Sequence, residues 1–387
     1  MLPFSDISFY ILLVPLVGLF WLLKPIMNYW IKVIFHLGFS ILFYTIFFKD
    51  YQVLFIYTFA SYLIYYLLEY IIKTEHKIIG IIIFVFPLLL IKTHTKFGIN
   101  YAQELIAFAG ISYYIFKVIH VYVDNNNREK AVSFLDYCCY LLLPTTLLIG
   151  PINRFKPFVY DLKNSKDNYN FELFKTGIEK ILQGALYKYV IAEIVNRYWL
   201  YNFDATSKEL WQMSNVMYSY YLYLFFDFAG YSFLAVGFSN LLGFKIPDNF
   251  NAPFLAVNAA DYWRRWHITL SEWLKDYFFT PFYKYLSGFK ALKAYPISRQ
   301  NLGLFMTFVV MGYWNGFQNN YVASGILFGM FSVIHNTYTI QCRKQKRDVI
   351  FGNLNATAIK YISIFVMFNI TAFAIYIFSG KFPFITN

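Results

Sequence analysis

Residues 261–281 read DYWRRWHITLSEWLKDYFFTP and hold the densest group of side chains able to do chemistry. His267 is the one that can take and return a proton near neutrality. By itself it also reads as a buried, hydrogen-bonded structural histidine. A second group is Met311-Gly312-Tyr313-Trp314-Asn315-Gly316, a polar break at the outer end of an apolar run. It reads as a flexible point at membrane depth or as a plain Asn-Gly turn. His335 is a third candidate, read also as a helix-end histidine near an interface. Asp227 lies inside Phe225-Phe226-Asp227-Phe228-Ala229-Gly230 and must be neutral or paired with a nearby Arg or Lys. His36, His76, His94 and His120 have no supporting pattern. No two histidines stand at i,i+4 and no HExxH occurs, so no metal site is predicted. Cys138, Cys139 and Cys342 lack metal or redox spacing and read as small apolar filler.

The element that must position His267 is an amphipathic helix. Trp263, Trp266, Leu270, Trp273, Leu274 and Tyr277 repeat at helical spacing, with Arg264, Arg265, Glu272, Lys275 and Asp276 largely opposite. Asp261 is placed to pair with Arg264 and Arg265 at i,i+3 and i,i+4. Pro281 is expected to end the segment. Such a helix lies at a membrane interface or lines a wet cavity.

The rest of the chain sets that helix in a membrane. Of 387 residues, 59% are hydrophobic and only 14% charged, with mean hydropathy +0.46. Soluble domains carry about 25% charged residues. The composition excludes a disordered chain, a disulfide scaffold and an ordinary cytosolic enzyme. Apolar runs recur near 7–29, 31–48, 52–72, 78–92, 104–123, 132–150, 174–201, 213–243, 301–316, 320–341 and 357–379. At ~20 residues per span the length allows roughly ten to twelve helices. We read a single polytopic all-α membrane domain, 1–387, with re-entrant or interfacial segments near 245–300.

The formal net charge of +12 belongs on cytoplasmic loops, facing anionic lipid or an acidic partner. No soluble basic domain exists to bind nucleic acid. The run from Ile7 to Leu23 reads as a retained first span; Lys24 and Lys32 after it favour an outside N-terminus. Two stretches are more polar. Residues 151–172 carry Arg154, Lys156, Lys163 and Lys166. Residues 245–300 carry Lys284, Lys290, Lys293 and Arg299. The 284–299 group and the cluster Arg343, Lys344, Lys346 and Arg347 read as cytoplasmic. The C-terminus then lies outside. Eleven full crossings cannot join two outside ends, so one run is re-entrant, doubled or missed, or one end is misassigned.

Gly110-Ile111-Ser112-Tyr113-Tyr114, Gly150-Pro151-Ile152-Asn153-Arg154-Phe155, Leu224 to Ser232, Pro247-Asp248-Asn249-Phe250, Trp263 to Asp276 and Ile377-Phe378-Ser379-Gly380 together resemble the membrane-bound O-acyltransferase family, and within it the D-alanyl branch. The resemblance implies a ring of helices around a funnel and tunnel. An acyl thioester on the phosphopantetheine arm of an acidic carrier protein would enter from the cytoplasm. A hydroxyl acceptor such as teichoic acid would approach from outside. His267 and Asn315 are the implied catalytic positions, with Trp263, Trp266 and Trp314 shaping the tunnel around the arm. The family usually has Trp-His-Gly where this chain has Trp314-Asn315-Gly316, and that histidine is the presumed base. Asn315 cannot titrate but can donate a hydrogen bond to an oxyanion. Three readings follow: His267 is the base and Asn315 orients; the chain is a weak or silent scaffold; the asparagine is an engineered change. Polysaccharide O-acetylation is the alternative within the same class. A transporter, whose inverted repeat is not visible, is a further class.

Overall fold

The computed structural model describes residues 7–49, 51–73, 77–97, 110–125, 131–148, 150–164, 170–346 and 355–385. Lys166, His76 and Arg347 lie outside them. The described residues are helical, without strands. Among the described residues, four helices are long and apolar enough to cross a membrane: Tyr29–Phe47, Tyr51–Ile71, Leu210–Leu241 and Ala356–Phe378.

The chain divides into two compact units. The first comprises 1–186 and 230–247. It contains α1 (Ile7–Leu23), α2 (Tyr29–Phe47), α3 (Tyr51–Tyr66, running on to Ile71), α4 (Lys77–Phe97), α5 (Ile111–Asp124), α6 (Phe134–Leu141), α7 (Pro144–Leu147), α8 (Phe155–Lys163) and α9 (Phe171–Ala185). Asparagine side chains start several helices. Asn28 accepts from Ile31 N at 3.0 Å and Asn170 from Leu173 N at 2.8 Å, each satisfying an amide the helix itself cannot.

Helix α2 is patterned inside out. Lys32, His36 and Ser40, one turn apart, are buried, while Ile34, Ile41 and Ile46 are exposed. A bilayer solvates the apolar face, so the polar residues must find partners within the protein. Lys32 Nζ donates to Asp161 O at 2.7 Å and Gly243 O at 3.3 Å. Lys32 is therefore a buried structural amine held by backbone carbonyls, not a loop charge that orients the first span. Lys117 behaves alike, donating to Tyr140 O at 3.0 Å and Thr146 Oγ1 at 2.7 Å. His120 Nε2 accepts from Phe155 N at 2.8 Å, tying α5 to the polar stretch after Pro151. The three cysteines are buried free thiols.

Glycine spacing sets one crossing. Gly177 and Gly184 on α9 meet Gly237 and Gly230 on the following long helix, seven residues apart on each and in opposite order. A Cβ at Gly184 would come within 2.7 Å of Gly230 O, and one at Gly237 within 2.7 Å of Gly177 O. Small residues let two backbones approach closely where lipid provides no hydrophobic drive for association.

The second unit comprises 187–229 and 248–387. A π turn over Leu186–Ile191 leads into α10 (Ala192–Tyr198), and α11 (Leu210–Leu241) contributes its N-terminal part. Then follow α12 (Ala259–Trp263), α13 (Ile268–Leu274), α14 (Thr280–Leu286), α15 (Lys290–Lys293), α16 (Pro296–Asn315), α17 (Asn319–Lys344) and α18 (Ala356–Phe378). Helices α16 and α17 form the hairpin expected from the two apolar runs. They approach at Gly312, where a Cβ would lie 2.7 Å from Tyr321 O, and at Gly325, 2.6 Å from Phe308 O.

Candidate active site

The continuous helix expected over 261–281 is broken at its chemical centre. Helix α12 ends at Trp263, and α13 starts at Ile268 with His267 as its N-cap residue. His267 has φ 45° and ψ 52°, the left-handed region, at about 1–2 kcal/mol for a non-glycine residue. A neighbouring stretch, 249–251, holds it there. Asn249 O accepts from Ile268 N at 2.9 Å, and Asn251 N donates to Arg265 O at 2.9 Å. Asn249 Oδ1 accepts from Thr269 Oγ1 at 2.6 Å and from Thr269 N at 3.3 Å. Backbone on both sides of His267 is thus pinned to one partner strand of chain. Periodicity cannot register such a break, because its cause lies about twenty residues away.

Pro281 does not end the segment either. Helical backbone passes through it, from a π turn over Lys275–Phe279 into α14, which runs on to Leu286. The ion pairs of Asp261 are as expected, with Arg265 Nε at 3.0 Å and an Arg264 guanidinium nitrogen at 3.6 Å. Asn258 Oδ1 accepts from Asp261 N at 2.8 Å, and Asp261 Oδ2 from Val257 N at 3.2 Å. Asn258 thus caps α12, while Asp261 reaches back to the amide just before the cap.

The break turns its side chains into an aromatic cluster. Trp266 stacks nearly parallel on Tyr262, with centroids 5.7 Å apart, and meets Phe250 edge-on at 5.2 Å. Tyr221, Phe225 and Phe228 form one stripe of α11 at i, i+4, i+7. The first two lie 5.9 and 6.1 Å from Trp266, and Phe228 lies 4.9 Å from the His267 ring. Trp263 packs against Phe308 of α16 and Phe328 of α17, at 4.9 Å each. His267 is buried, and burial pushes its pKa down from 6.5 to about 3, so the imidazole is neutral at pH 7. A neutral imidazole can accept a hydroxyl proton.

Asn315 closes α16. Its Nδ2 donates to Met311 O at 2.9 Å, and Gly316 follows in extended backbone. A Cβ at 316 would clash with Gln318 Oε1 and fall 2.6 Å from the Tyr321 ring, which explains the glycine after the asparagine. Trp314 and Asn315 are half-buried. Phe308, which touches Trp263, lies seven residues before Asn315, ~10 Å along the helix axis. The structure therefore gathers Trp263, Trp266 and His267 in one cluster and sets Trp314 and Asn315 at the end of the helix that braces it. His335 lies within α17, with Nε2 3.5 Å from Thr339 Oγ1 of the same helix.

Asp227 has the structural partner that its setting required. Lys188, in the π turn before α10, forms an ion pair with it. Asp227 precedes Phe228, so the pair anchors the stretch of α11 that carries the ring against His267. Sequence reasoning singled out neither Lys188 nor the clamp role of Asn249.

Residues 30–377 match the model of MBOAT, the membrane-bound O-acyltransferase family. The chain is 35% identical over 284 residues to the teichoic acid D-alanyltransferase of Bacillus subtilis (strain 168), covering 72% of this chain and 70% of that one. It is 32% identical over 307 residues to the protein of that name from Streptococcus thermophilus, covering 76% and 73%. With a peptidoglycan O-acetyltransferase of Helicobacter pylori it shares 33% over 213 residues, covering 54% and 39%. These matches, with a helical fold and apolar spans, establish that the chain belongs to the membrane-bound O-acyltransferase family, as a multi-pass O-acyltransferase of the bacterial plasma membrane.

Proposed function

We propose that this enzyme moves D-alanine from the thioester of an acidic acyl carrier protein to hydroxyls of teichoic acid. The observation that carries the reading is similarity to teichoic acid D-alanyltransferases over about three-quarters of the chain. The acceptor hydroxyl attacks the thioester carbonyl. The C–O bond forms, the C–S bond breaks, and the hydroxyl proton passes through His267 to the departing sulfur. Asn315 orients the acyl group, and Trp263, Trp266 and Trp314 line the path of the phosphopantetheine arm. Exposed Lys284, Lys290 and Lys293, with Arg343, Lys344 and Lys346, supply positive charge for an acidic carrier on the cytoplasmic side.

Reconstituted vesicles test this, with D-alanyl carrier protein inside and teichoic acid outside. We expect D-alanyl ester on the acceptor, and carrier binding that weakens with salt. Transfer from an acetyl donor alone would replace the reading with polysaccharide O-acetylation, which the similarity to O-acetyltransferases supports. No transfer from either donor would leave a silent scaffold.

A further inference from the structure

Asn249 has half of its amide in use. Its Oδ1 is taken by Thr269 Oγ1 and N, which fixes which end of the amide is which, because a flipped Nδ2 would face the Thr269 N–H donor. The side chain is fully buried, and Nδ2 has no hydrogen-bond partner among the described residues. A buried donor left unmade costs about 1–3 kcal/mol, so an asparagine kept only as a clamp is poorly chosen. Asn249 sits beside the break that carries His267. Asn249 O holds the amide of the residue after His267, and Phe250 packs on both Trp266 and Phe228, the ring that meets His267.

We infer that Asn249 is a further catalytic residue whose Nδ2–H binds the acyl carbonyl oxygen of the thioester and the oxyanion that forms from it. As the acceptor oxygen bonds to the carbonyl carbon, the carbonyl π pair moves onto the carbonyl oxygen, where Nδ2–H meets it. The pair returns as the C–S bond breaks, and the sulfur leaves with its electrons and takes the proton held by His267. A fixed donor aimed at developing charge lowers the barrier without reorganising. The inference rests on acyl-thioester chemistry and holds for alanyl and acetyl donors alike.

Asn249→Asp separates the two roles, since it keeps the acceptor for Thr269 and removes the N–H. At neutral pH we expect kcat to fall roughly 10²-fold, the usual loss for one oxyanion donor. The decisive readout is binding of two inert carriers: one bearing D-alanine through an amide, which keeps the carbonyl, and one with that carbonyl reduced to methylene. The parent enzyme should prefer the carbonyl form about tenfold, the weight of one hydrogen bond, and Asn249→Asp should lose the preference. A merely structural asparagine would weaken both ligands equally. If Asn249→Asp does not fold, Asn249→Ala, which has no side-chain donor, takes its place in the same comparison. A preference that persists in the folded variant, or is missing from the parent enzyme, overturns the assignment. A parent enzyme that transfers acetyl but not D-alanine refutes the proposed donor instead and leaves this test intact.

Discussion

The ring of His267 meets Phe228 edge to face, with centroids 4.9 Å apart and planes at 83°. This contact joins the broken segment after α12 to the middle of α11 and closes the imidazole off from water. An aromatic pair of this kind contributes about 0.5–1.5 kcal/mol beyond its buried area. Phe228 is part-buried, so Phe228→Ala should lower stability by about 1–3 kcal/mol, less than a full core truncation, and reduce transfer further than the stability loss accounts for. Thermal unfolding in detergent beside kcat at a temperature where both proteins are folded checks this.

The pH dependence follows from the burial of His267. Its folded pKa, about 3, lies below the ordinary 6.5, so between these values the unfolded chain binds a proton that the folded protein does not. The stability contribution is complete above about pH 6.5 and is lost as pH falls toward 3. Denaturation midpoints measured from pH 7 to pH 4 should fall, and His267→Phe should flatten that slope. An unchanged slope in the variant would mean that other groups govern acid sensitivity.

The Lys188–Asp227 pair yields a third expectation. The Lys188 side chain is 11% exposed, so Asp227→Ala leaves a nearly buried cation without its carboxylate. The Asp227 side chain is 35% exposed, so solvent screens the pair and breaking it from one side should cost about 1–2 kcal/mol. The exchange Lys188→Asp with Asp227→Lys should recover a substantial part of that loss. Chemical unfolding of the two singles and the double, read as a mutant cycle, measures the coupling.

Asn315→His places a titratable group at the position where the family resemblance implies one. With His267 as the base, the parent chain transfers and the variant changes kcat by less than about tenfold, while His267→Ala abolishes transfer in a folded protein. Transfer by Asn315→His alone would return the base to position 315 and reduce His267 to a hydrogen-bonding role. Initial rates in the vesicle assay decide between the two outcomes.

Much of the architecture was legible because it depends on short-range regularities. The apolar runs at 31–48, 52–72, 213–243 and 357–379 correspond to α2, α3, α11 and α18 within a few residues. The Trp-Asn-Gly group ends α16 as its composition suggested. Asp261 pairs with both arginines because they lie one turn away on the same stretch of backbone. The charge of Lys32 was visible, but its role was not. Whether a lysine near a helix start meets headgroups or the carbonyls of Asp161 and Gly243 depends on chain more than a hundred residues away.

By itself, then, the sequence determined a helical membrane protein, its family resemblance and the residue types gathered around His267, because composition and periodicity are local properties. Tertiary structure alone decided that the helix breaks at His267, that Phe228 meets the imidazole and that Lys188 takes Asp227. Each is a pairing between segments distant along the chain. The left-handed turn of His267 shows the reason. Local backbone preference opposes it, and it is held by hydrogen bonds from 249–251 to both sides of the break.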